Sequence, residues 1–173
     1  MASTNLQGKT ARLTGAHCAG RAALSAALEE QGAEVLNGDQ AYARRIEYLV
    51  HCAGPDAEAA GAALEVQMNG LRQLADAAEA GAADTALEAI VLLGIAGAER
   101  GGAASAREAL VQGALPGFTR YLAQRLAPKV RVNACLAAAD AAPEQIAETL
   151  TFLLSDTTFI TGTVLTLDGG RGL

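Results

Sequence analysis

The sequence predicts a doubly wound α/β fold, in which about six parallel strands form one sheet with helices on both faces. Short aliphatic segments alternate along the chain with longer segments of helical periodicity. The aliphatic segments lack strict polar alternation, which is typical of parallel strands covered on both sides. The chain has 173 residues, of which 51% are hydrophobic. That length and composition favour one domain over residues 1–173 and exclude a disordered chain.

The first half of the chain supplies three predicted strands and two predicted helices. The run ARLTG predicts a strand over residues 10–14, and a helix over 19–31 follows it. The runs AEVLN and EYLVHC predict strands over 33–37 and 46–52, and the alanine-rich segment 60–81 predicts the second helix. Alanine side chains are small, so these helices can lie close to the sheet.

The second half continues the same alternation. The run AIVLLG predicts a strand over 88–94, and a long helix over 105–127 follows. VRVNAC predicts a strand over 130–135, and the remaining elements are a helix over 143–155 and a strand over 163–167. The two Gly- and Ala-rich stretches between these elements have ordinary loop lengths, so neither indicates a domain boundary.

Charge and cysteine content narrow the possible partners and compartments. Nineteen acidic and thirteen basic residues give a net charge of -6, which makes nucleic acid an improbable partner. The three cysteines, Cys18, Cys52 and Cys135, are too few for a disulfide scaffold and suit a reducing compartment. We expect a cytoplasmic protein with no membrane partner, because no apolar run is long enough for a signal peptide or a membrane span.

Several segments resemble the short-chain dehydrogenase/reductase family. KTARLTGAHCAGRAALSAALEEQGAEV resembles the first strand, glycine turn and helix of that family, and LVHCAG resembles a later strand and its Asn-Asn-Ala-Gly turn. GFTRYLAQRLAPKVRVNAC and PEQIAETLTFLLSDTTFITGTVLTLDGG are similar to its catalytic helix and its C-terminal helix and strand. The resemblance implies a reduced Rossmann-like domain and, for intact members, NAD(P)-dependent oxidoreductase activity.

The family's catalytic groups are a tyrosine and a lysine four residues apart on one helix, together with a serine and an asparagine. With the register set by GFTR and VRVNA, the tyrosine position falls on Glu108 and the lysine position on Gln112. The serine position falls on Gly94, whereas Asn69 matches the asparagine. A positioned general acid typically contributes about 10²- to 10⁴-fold in rate. The resemblance therefore implies that family hydride chemistry is lost.

Tyr121 and Arg125 also stand four residues apart, as in the Tyr-x-x-x-Arg pair of halohydrin dehalogenases. They follow Glu108 by more than three helical turns, or about 20 Å along the helix axis. We expect them to lie outside the catalytic cleft, on the packing or partner face of that helix.

The resemblance also identifies candidate cofactor-binding residues. Gly15 and Gly20 match the first and last glycines of the dinucleotide turn, although Ala19 or a gap replaces the middle glycine. Asp39 matches the acid that holds the adenosine ribose and favours NAD, although it also fits an ordinary turn residue. Ala53 and Gly54 keep half of the Asn-Asn-Ala-Gly turn. These degenerate motifs predict no cofactor, or NAD if one binds.

Two segments are short in comparison with the family. Only QAYARRIEYL separates Asp39 from the next strand, where family members place a further strand and helix that wrap the adenine. Only CLAAADAA separates the strand at 130–135 from the helix that begins at Pro143, where the family has a substrate-binding lid. We therefore expect neither an adenine wall nor a closing lid, and a site without a lid stays wet.

Of two His-Cys pairs, His17-Cys18 follows the strand predicted over 10–14 and His51-Cys52 ends the strand predicted over 46–52, and these strands are neighbours in the expected sheet. Four such ligands would suit zinc. Consecutive residues of a strand point to opposite faces, so His51 and Cys52 cannot easily share one ion. We predict no metal site.

The leading hypothesis is a non-catalytic subunit. In the family, the long helix and the C-terminal helix-strand unit are assembly surfaces, and this chain keeps both. It would assemble with itself or with a full-length dehydrogenase/reductase, as a homo- or hetero-oligomer, and support it.

Two alternatives remain open. The chain could be a cofactor-independent acid-base enzyme of lyase, isomerase or dehydratase type, with Glu108 as general base and Asn69, Gln112 and His51 around a substrate oxygen. Glu108 also fits an ordinary solvated glutamate. Alternatively, the chain could bind NAD weakly, as a sensor or as an oxidoreductase with an atypical site.

Overall fold

The computed structural model describes residues 6–15, 21–37, 46–53, 72, 76, 86–155 and 159–172. In these residues six parallel strands form one sheet in the order β2-β1-β3-β4-β5-β6. Their bounds are Thr10–Gly15 (β1), Glu34–Asn37 (β2), Tyr48–Cys52 (β3), Ala89–Ile95 (β4), Arg131–Ala137 (β5) and Val164–Leu167 (β6). The chain passes from β2 on one side of β1 to β3 on the other, so the topological switch point lies between β1 and β3.

Three described helices cover the two faces of this sheet. They are α1 (Arg21–Glu30), α2 (Ala106–Leu126) and α3 (Pro143–Leu154). Helices α1 and α3 pack against each other on one face, and α2 packs on β4 and β5 from the other. The predicted Rossmann-like fold, with helices on both faces, is confirmed.

The hydrophobic core forms two clusters, one on each face of the sheet. Leu13 and Val50 pack with Leu24 and Leu153 on the face of α1 and α3. On the opposite face, the buried strand residues pack against one side of α2, and this cluster includes Leu92, Val132, Leu115 and Leu122. Both faces of each central strand are therefore buried, which explains why the aliphatic runs show no polar alternation.

The predicted elements agree with the observed ones to within two residues at each described end. Strand β5 runs two residues beyond its predicted end, to Ala137, so only residues 138–142 connect it to α3. A short 3₁₀ helix, Ala98–Arg100, follows β4 and was absent from the predicted elements. Arg72 and Asp76 are helical, which agrees with the predicted helix over 60–81 at those two positions. Among the described helices, none combines the length and the apolar character that crossing a membrane requires.

Two polar side chains of β5 hold neighbouring segments in place. Arg131 donates to the carbonyl oxygens of Leu153 and Leu154, each at 2.8 Å, and of Ser155 at 3.0 Å. The last turn of α3 has no basic residue of its own, so Arg131 satisfies carbonyl groups that a helix end leaves unpaired. The buried Asn133 donates to the carbonyl of Ile160 and accepts from the amide of Thr163. These bonds fix the segment that leads into β6.

Candidate functional site

The crevice between the carboxyl ends of β1 and β3 is the position at which folds of this type bind ligands. Gly15 ends β1 with φ +85°, a conformation that favours glycine. A Cβ on Gly15 would overlap the carbonyl oxygen of Cys52 and lie 3.0 Å from Cε1 of His51. The first glycine of the predicted turn therefore stands at the crevice, where it allows the two strand ends to approach closely. The side chain of Arg21 donates to the Gly15 carbonyl at 3.2 Å.

Several predicted site residues lie outside the described residues. They are His17, Cys18, Ala19, Gly20, Asp39, Gly54 and Asn69. The described part of the site therefore consists of the ends of β1, β3 and β4 and the first turns of α2.

His51 and Cys52 are the last two residues of β3, and their side chains point to opposite faces of the sheet. His51 is 7% exposed, and its Nδ1 lies 3.1 Å from the hydroxyl oxygen of Thr14 on β1. Cys52 is buried in the cluster that faces α1 and α3. Within the described ranges, no group of three or more His, Cys, Asp or Glu residues has the arrangement of a metal site.

Gln112, in the second turn of α2, forms a hydrogen-bonded bridge between β3 and β4. Its side chain is buried with 1% exposure. The Nε2 group donates to the carbonyl oxygen of Ala53, and Oε1 accepts from the amide of Ile95 at 2.9 Å. Ala53 directly follows β3 and Ile95 is the last residue of β4, so the Gln112 bridge ties α2 to the carboxyl edge of the sheet.

Gly94 lies on β4 beside the Gln112 bridge and is buried. A Cβ at this position would overlap Cδ1 of Leu115, and it would lie 2.5 Å from Oε1 of Gln112 and 2.8 Å from Cδ2 of Leu136. The volume that a serine side chain would need here is already filled by three side chains. The structure thus brings Gly94 and Gln112 into contact.

Glu108 forms a capping box at the start of α2. Ser105 accepts from the Glu108 amide at 3.1 Å, and the Glu108 carboxylate accepts from the amide of Ala104 at 2.8 Å. The carboxylate is partly exposed and hydrogen-bonded to the backbone. The Ser-x-x-Glu spacing of SARE is the sequence pattern that indicates this role.

Tyr121 lies five residues before Leu126, the last residue of α2, on the side of the helix that faces away from the sheet, and it is 49% exposed. About 20 Å of helix separates it from Glu108. The prediction that the Tyr121 and Arg125 pair lies outside the cleft agrees with this position of Tyr121.

A network of charged residues, here called the C-terminal network (Arg100, Asp140, Asp168 and Arg171), joins the segments that follow β4, β5 and β6. Asp168 accepts from the amides of Gly170 at 2.9 Å and Gly172 at 3.0 Å. It also pairs with Arg100 at 3.4 Å, and Arg171 pairs with Asp140 at 3.1 Å.

The same contacts change the pKa of the Asp168 carboxyl. The backbone hydrogen bond from Gly170, followed by the contacts of Arg100 and Gly172, lowers the pKa of the Asp168 carboxyl below its usual 3.8. The Asp-Gly-Gly block was recognised from the sequence as a family signature, whereas its pairing with Arg100, 68 residues away, was not predicted.

Residues 7–140 match the protein-family model described as enoyl-(acyl carrier protein) reductase. No curated protein sequence matches the chain. Among the solved structures that share its fold are the following three.

The first is a 3-ketoacyl-(acyl-carrier-protein) reductase from Brucella melitensis complexed with NADH, with 20% identity and a TM-score of 0.75, covering 98% of this chain and 100% of that chain. The second is a short-chain dehydrogenase/reductase from Serratia marcescens, with 23% identity and a TM-score of 0.73 over 97% of this chain and 99% of that one. The third is a short-chain dehydrogenase from Leptospira borgpetersenii with bound NAD+, with 17% identity and a TM-score of 0.78 over 99% and 95%.

Proposed function

The chain belongs to the short-chain dehydrogenase/reductase family, and on that basis we propose that it is a non-catalytic, cytoplasmic member that assembles with other subunits. Its partner would be an active dehydrogenase/reductase or a second copy of the chain, which it supports. In this proposal Gly94, Glu108 and Gln112 stand where active members carry serine, tyrosine and lysine.

The single observation that carries the proposal is the Gln112 bridge. An active member needs a cation at this position, to lower the pKa of the tyrosine and to bind the cofactor ribose. Gln112 is neutral, is 1% exposed, and uses both of its polar atoms to bond the ends of β3 and β4. It could not reach a ribose without leaving the buried Ala53 carbonyl and the partly buried Ile95 amide unpaired, and an unpaired buried backbone group costs about 1–3 kcal/mol.

Gly94 and Glu108 support the same conclusion. The space around Gly94 has no room for a hydroxymethyl group. The Glu108 carboxylate is partly exposed and already accepts a hydrogen bond from the Ala104 amide, as part of the cap of α2. These contacts favour a structural role for Glu108 over the role of general base in a cofactor-independent enzyme.

The described residues around Gln112 therefore do not fit the nicotinamide ribose of NAD. Gly15 has the positive φ of a turn glycine and lies against the end of β3, but this feature alone would not hold a dinucleotide. We propose no catalytic step through NAD for this chain.

Isothermal titration with NAD(H) and NADP(H) tests the catalytic half of the proposal. We expect no heat up to millimolar cofactor, under conditions in which an active family member gives a clear isotherm. Turnover of any carbonyl or alcohol substrate, or micromolar cofactor binding, would show that the chain is instead an oxidoreductase with an atypical site.

Co-expression tests the assembly half. The tagged chain, expressed together with the products of its neighbouring genes, is expected to recover a second subunit in a fixed ratio. Recovery of the tagged chain alone as a monomer would contradict the proposal.

A further inference from the structure

The residues that follow β6, here called the strap (168–172), lie against the loop that leads from β4 into α2. The guanidinium group of Arg100 in that loop donates to the carbonyl oxygen of Gly172 at 2.8 Å and pairs with the Asp168 carboxylate at 3.4 Å. A Cβ on Gly172 would overlap this guanidinium group, so the two are packed in direct contact. Arg100 therefore joins the loop to residues that lie 68 and 72 positions away in the sequence.

Polar contacts hold the strap in place. Its sequence, DGGRG, contains no apolar side chain, and residues 169–172 are exposed. Asp168 accepts from two backbone amides, but both of them lie within the strap itself. Arg171 pairs with Asp140, yet the two side chains are 65% and 63% exposed, and such pairs contribute little. Among the described contacts, those of Arg100 therefore fix the strap on the loop.

The loop before α2, here called the entry loop (97–105), also has little buried apolar surface. Most of its described residues are exposed. Its 3₁₀ helix packs against α2, and Ala98 is the buried residue of that short helix. The amide of Gly102 donates to the carbonyl oxygen of Gly97 at 2.9 Å. Segments with few buried apolar contacts open at a low free energy, so the contacts of Arg100 matter for the order of this loop.

The entry loop ends in the residues that cap α2. Ser105 accepts from the Glu108 amide at 3.1 Å, and the Glu108 carboxylate accepts from the amide of Ala104 at 2.8 Å. The first turn of α2 is thus bonded to the last two residues of the loop. A helix start frays when its cap is out of place, so the order of the loop and of this first turn are linked.

We propose that the strap, the entry loop and the first turn of α2 open and close as one unit, with Arg100 as the contact that holds it closed. Release of Arg100 from the strap loosens the start of the helix that carries Glu108 and Gln112. The Arg100 side chain is 43% exposed, so a carboxylate of another molecule can compete for it. The unit is a conformational device of the chain alone and requires neither the partner nor the absence of cofactor chemistry in the proposed function.

Hydrogen exchange of the full chain, measured by mass spectrometry of peptides at neutral pH, tests this coupling. Arg100→Ala should speed exchange about threefold or more both in the strap and in residues 97–109. Exchange in β4 and α3 should stay as in the wild type. Arg107→Ala is the matched control, because Arg107 lies in the first turn of α2 and takes part in no ion pair among the described residues. It should not speed exchange in either segment.

Faster exchange in the strap alone, with residues 97–109 unchanged, would overturn the inference, because the two segments would then move independently. An equal effect of Arg107→Ala would overturn it as well. If Arg100→Ala speeds exchange in every segment of the chain, Arg100→Lys replaces it with the same expectation. Lysine keeps the charge but lacks the planar group with which Arg100 reaches two partners.

A cap variant provides a second measurement that leaves Arg100 in place. Coupling between two segments is reciprocal, so Ser105→Ala should also speed exchange in the strap, although no hydrogen bond described for Ser105 involves the strap. In Arg100→Ala/Ser105→Ala, exchange of the first turn of α2 should rise by less than the product of the two single effects, because both substitutions open the same unit. An unchanged strap in Ser105→Ala, or effects that multiply fully, would contradict the proposed coupling. None of these results bears on cofactor binding or assembly, which test the proposed function separately.

Discussion

The side-chain amide of Gln112 donates a hydrogen bond to the carbonyl oxygen of Ala53, so that the second turn of α2 is bonded directly to the residue that follows β3. The same side chain accepts from the amide of Ile95, the last residue of β4. One buried residue thus satisfies two backbone groups at the carboxyl edge of the sheet. Its role is to hold the edge together.

Gln112→Ala should lower the free energy of unfolding by about 3 kcal/mol, because it leaves the Ala53 carbonyl and the Ile95 amide without their partner inside the protein. Urea unfolding followed by circular dichroism measures the change. Gln124→Ala is the matched control, since Gln124 is exposed on the same helix and its loss should change stability by less than about 0.5 kcal/mol. Equal effects of the two substitutions would mean that the bridge contributes nothing.

Gly94→Ala should destabilise the protein by about 1–3 kcal/mol, because the new methyl group must displace Leu115, Gln112 and Leu136 in a packed region. Gly113→Ala is a control for which the opposite change in stability is expected. That glycine lies in α2 with open space around it, so alanine should stabilise the helix by about 0.5–1 kcal/mol. The two variants should therefore shift the thermal midpoint in opposite directions. A stabilising Gly94→Ala would indicate unfilled space beside Gln112.

Ser105→Ala should cost about 1 kcal/mol of stability, because it removes the acceptor for the Glu108 amide at the start of α2. Glu108→Gln keeps an acceptor for the Ala104 amide and should change stability by less than about 0.5 kcal/mol, as expected for a cap. Thermal unfolding of both variants and of Glu108→Ala checks this. If Ser105→Ala leaves the midpoint unchanged, the capping box does not stabilise the helix.

The C-terminal network should become less stable at low pH. Folding lowers the pKa of Asp168 below its usual 3.8, so the carboxylate contributes stability that is fully present above that value. The contribution is lost as the pH falls through the folded-state pKa. Arg100 and the amides of Gly170 and Gly172 are the groups that the carboxylate contacts.

Amide hydrogen exchange at Gly170 and Gly172 measures this effect. Asp168→Asn should speed exchange at pH 6, and the difference from the wild type should shrink progressively as the pH is lowered below 3.8. Asp140→Asn is the control, because it removes only the exposed pair with Arg171, and such pairs contribute little. Identical exchange in the wild type and Asp168→Asn at pH 6 would contradict the role given to Asp168.

Cys135 should resist alkylation in the folded protein. It is buried on β5, and burial raises the pKa of its thiol to about 12, so almost no thiolate forms at pH 8. Iodoacetamide treatment at pH 8, read by mass spectrometry of peptides, should modify Cys135 in urea but not in native buffer. Modification in native buffer at the rate of a free thiol would show that this part of β5 opens readily.

The positions of the strands could be predicted because each strand is buried on both faces and therefore appears in the sequence as an aliphatic run. The alignment on GFTR and VRVNA identified Gly94, Glu108 and Gln112 as positions of interest, but it could not say what these residues contact. The Ser-x-x-Glu pattern around Glu108 is local, and so the sequence contained enough information for the capping box. The 3₁₀ helix at Ala98–Arg100 and the two additional residues of β5 lacked a comparable pattern.

The sequence by itself determined the parallel sheet, its family and the identity of the residues at the carboxyl edge, because periodicity and local motifs depend on neighbours along the chain. Only the tertiary structure decided what those residues do. Gln112 and Ala53 are 59 positions apart, and Arg100 and Asp168 are 68 positions apart. Hydrogen bonds between such residues depend on how helices and loops meet at the end of the sheet. The residue type alone does not show whether a glutamine completes a buried bridge or faces solvent.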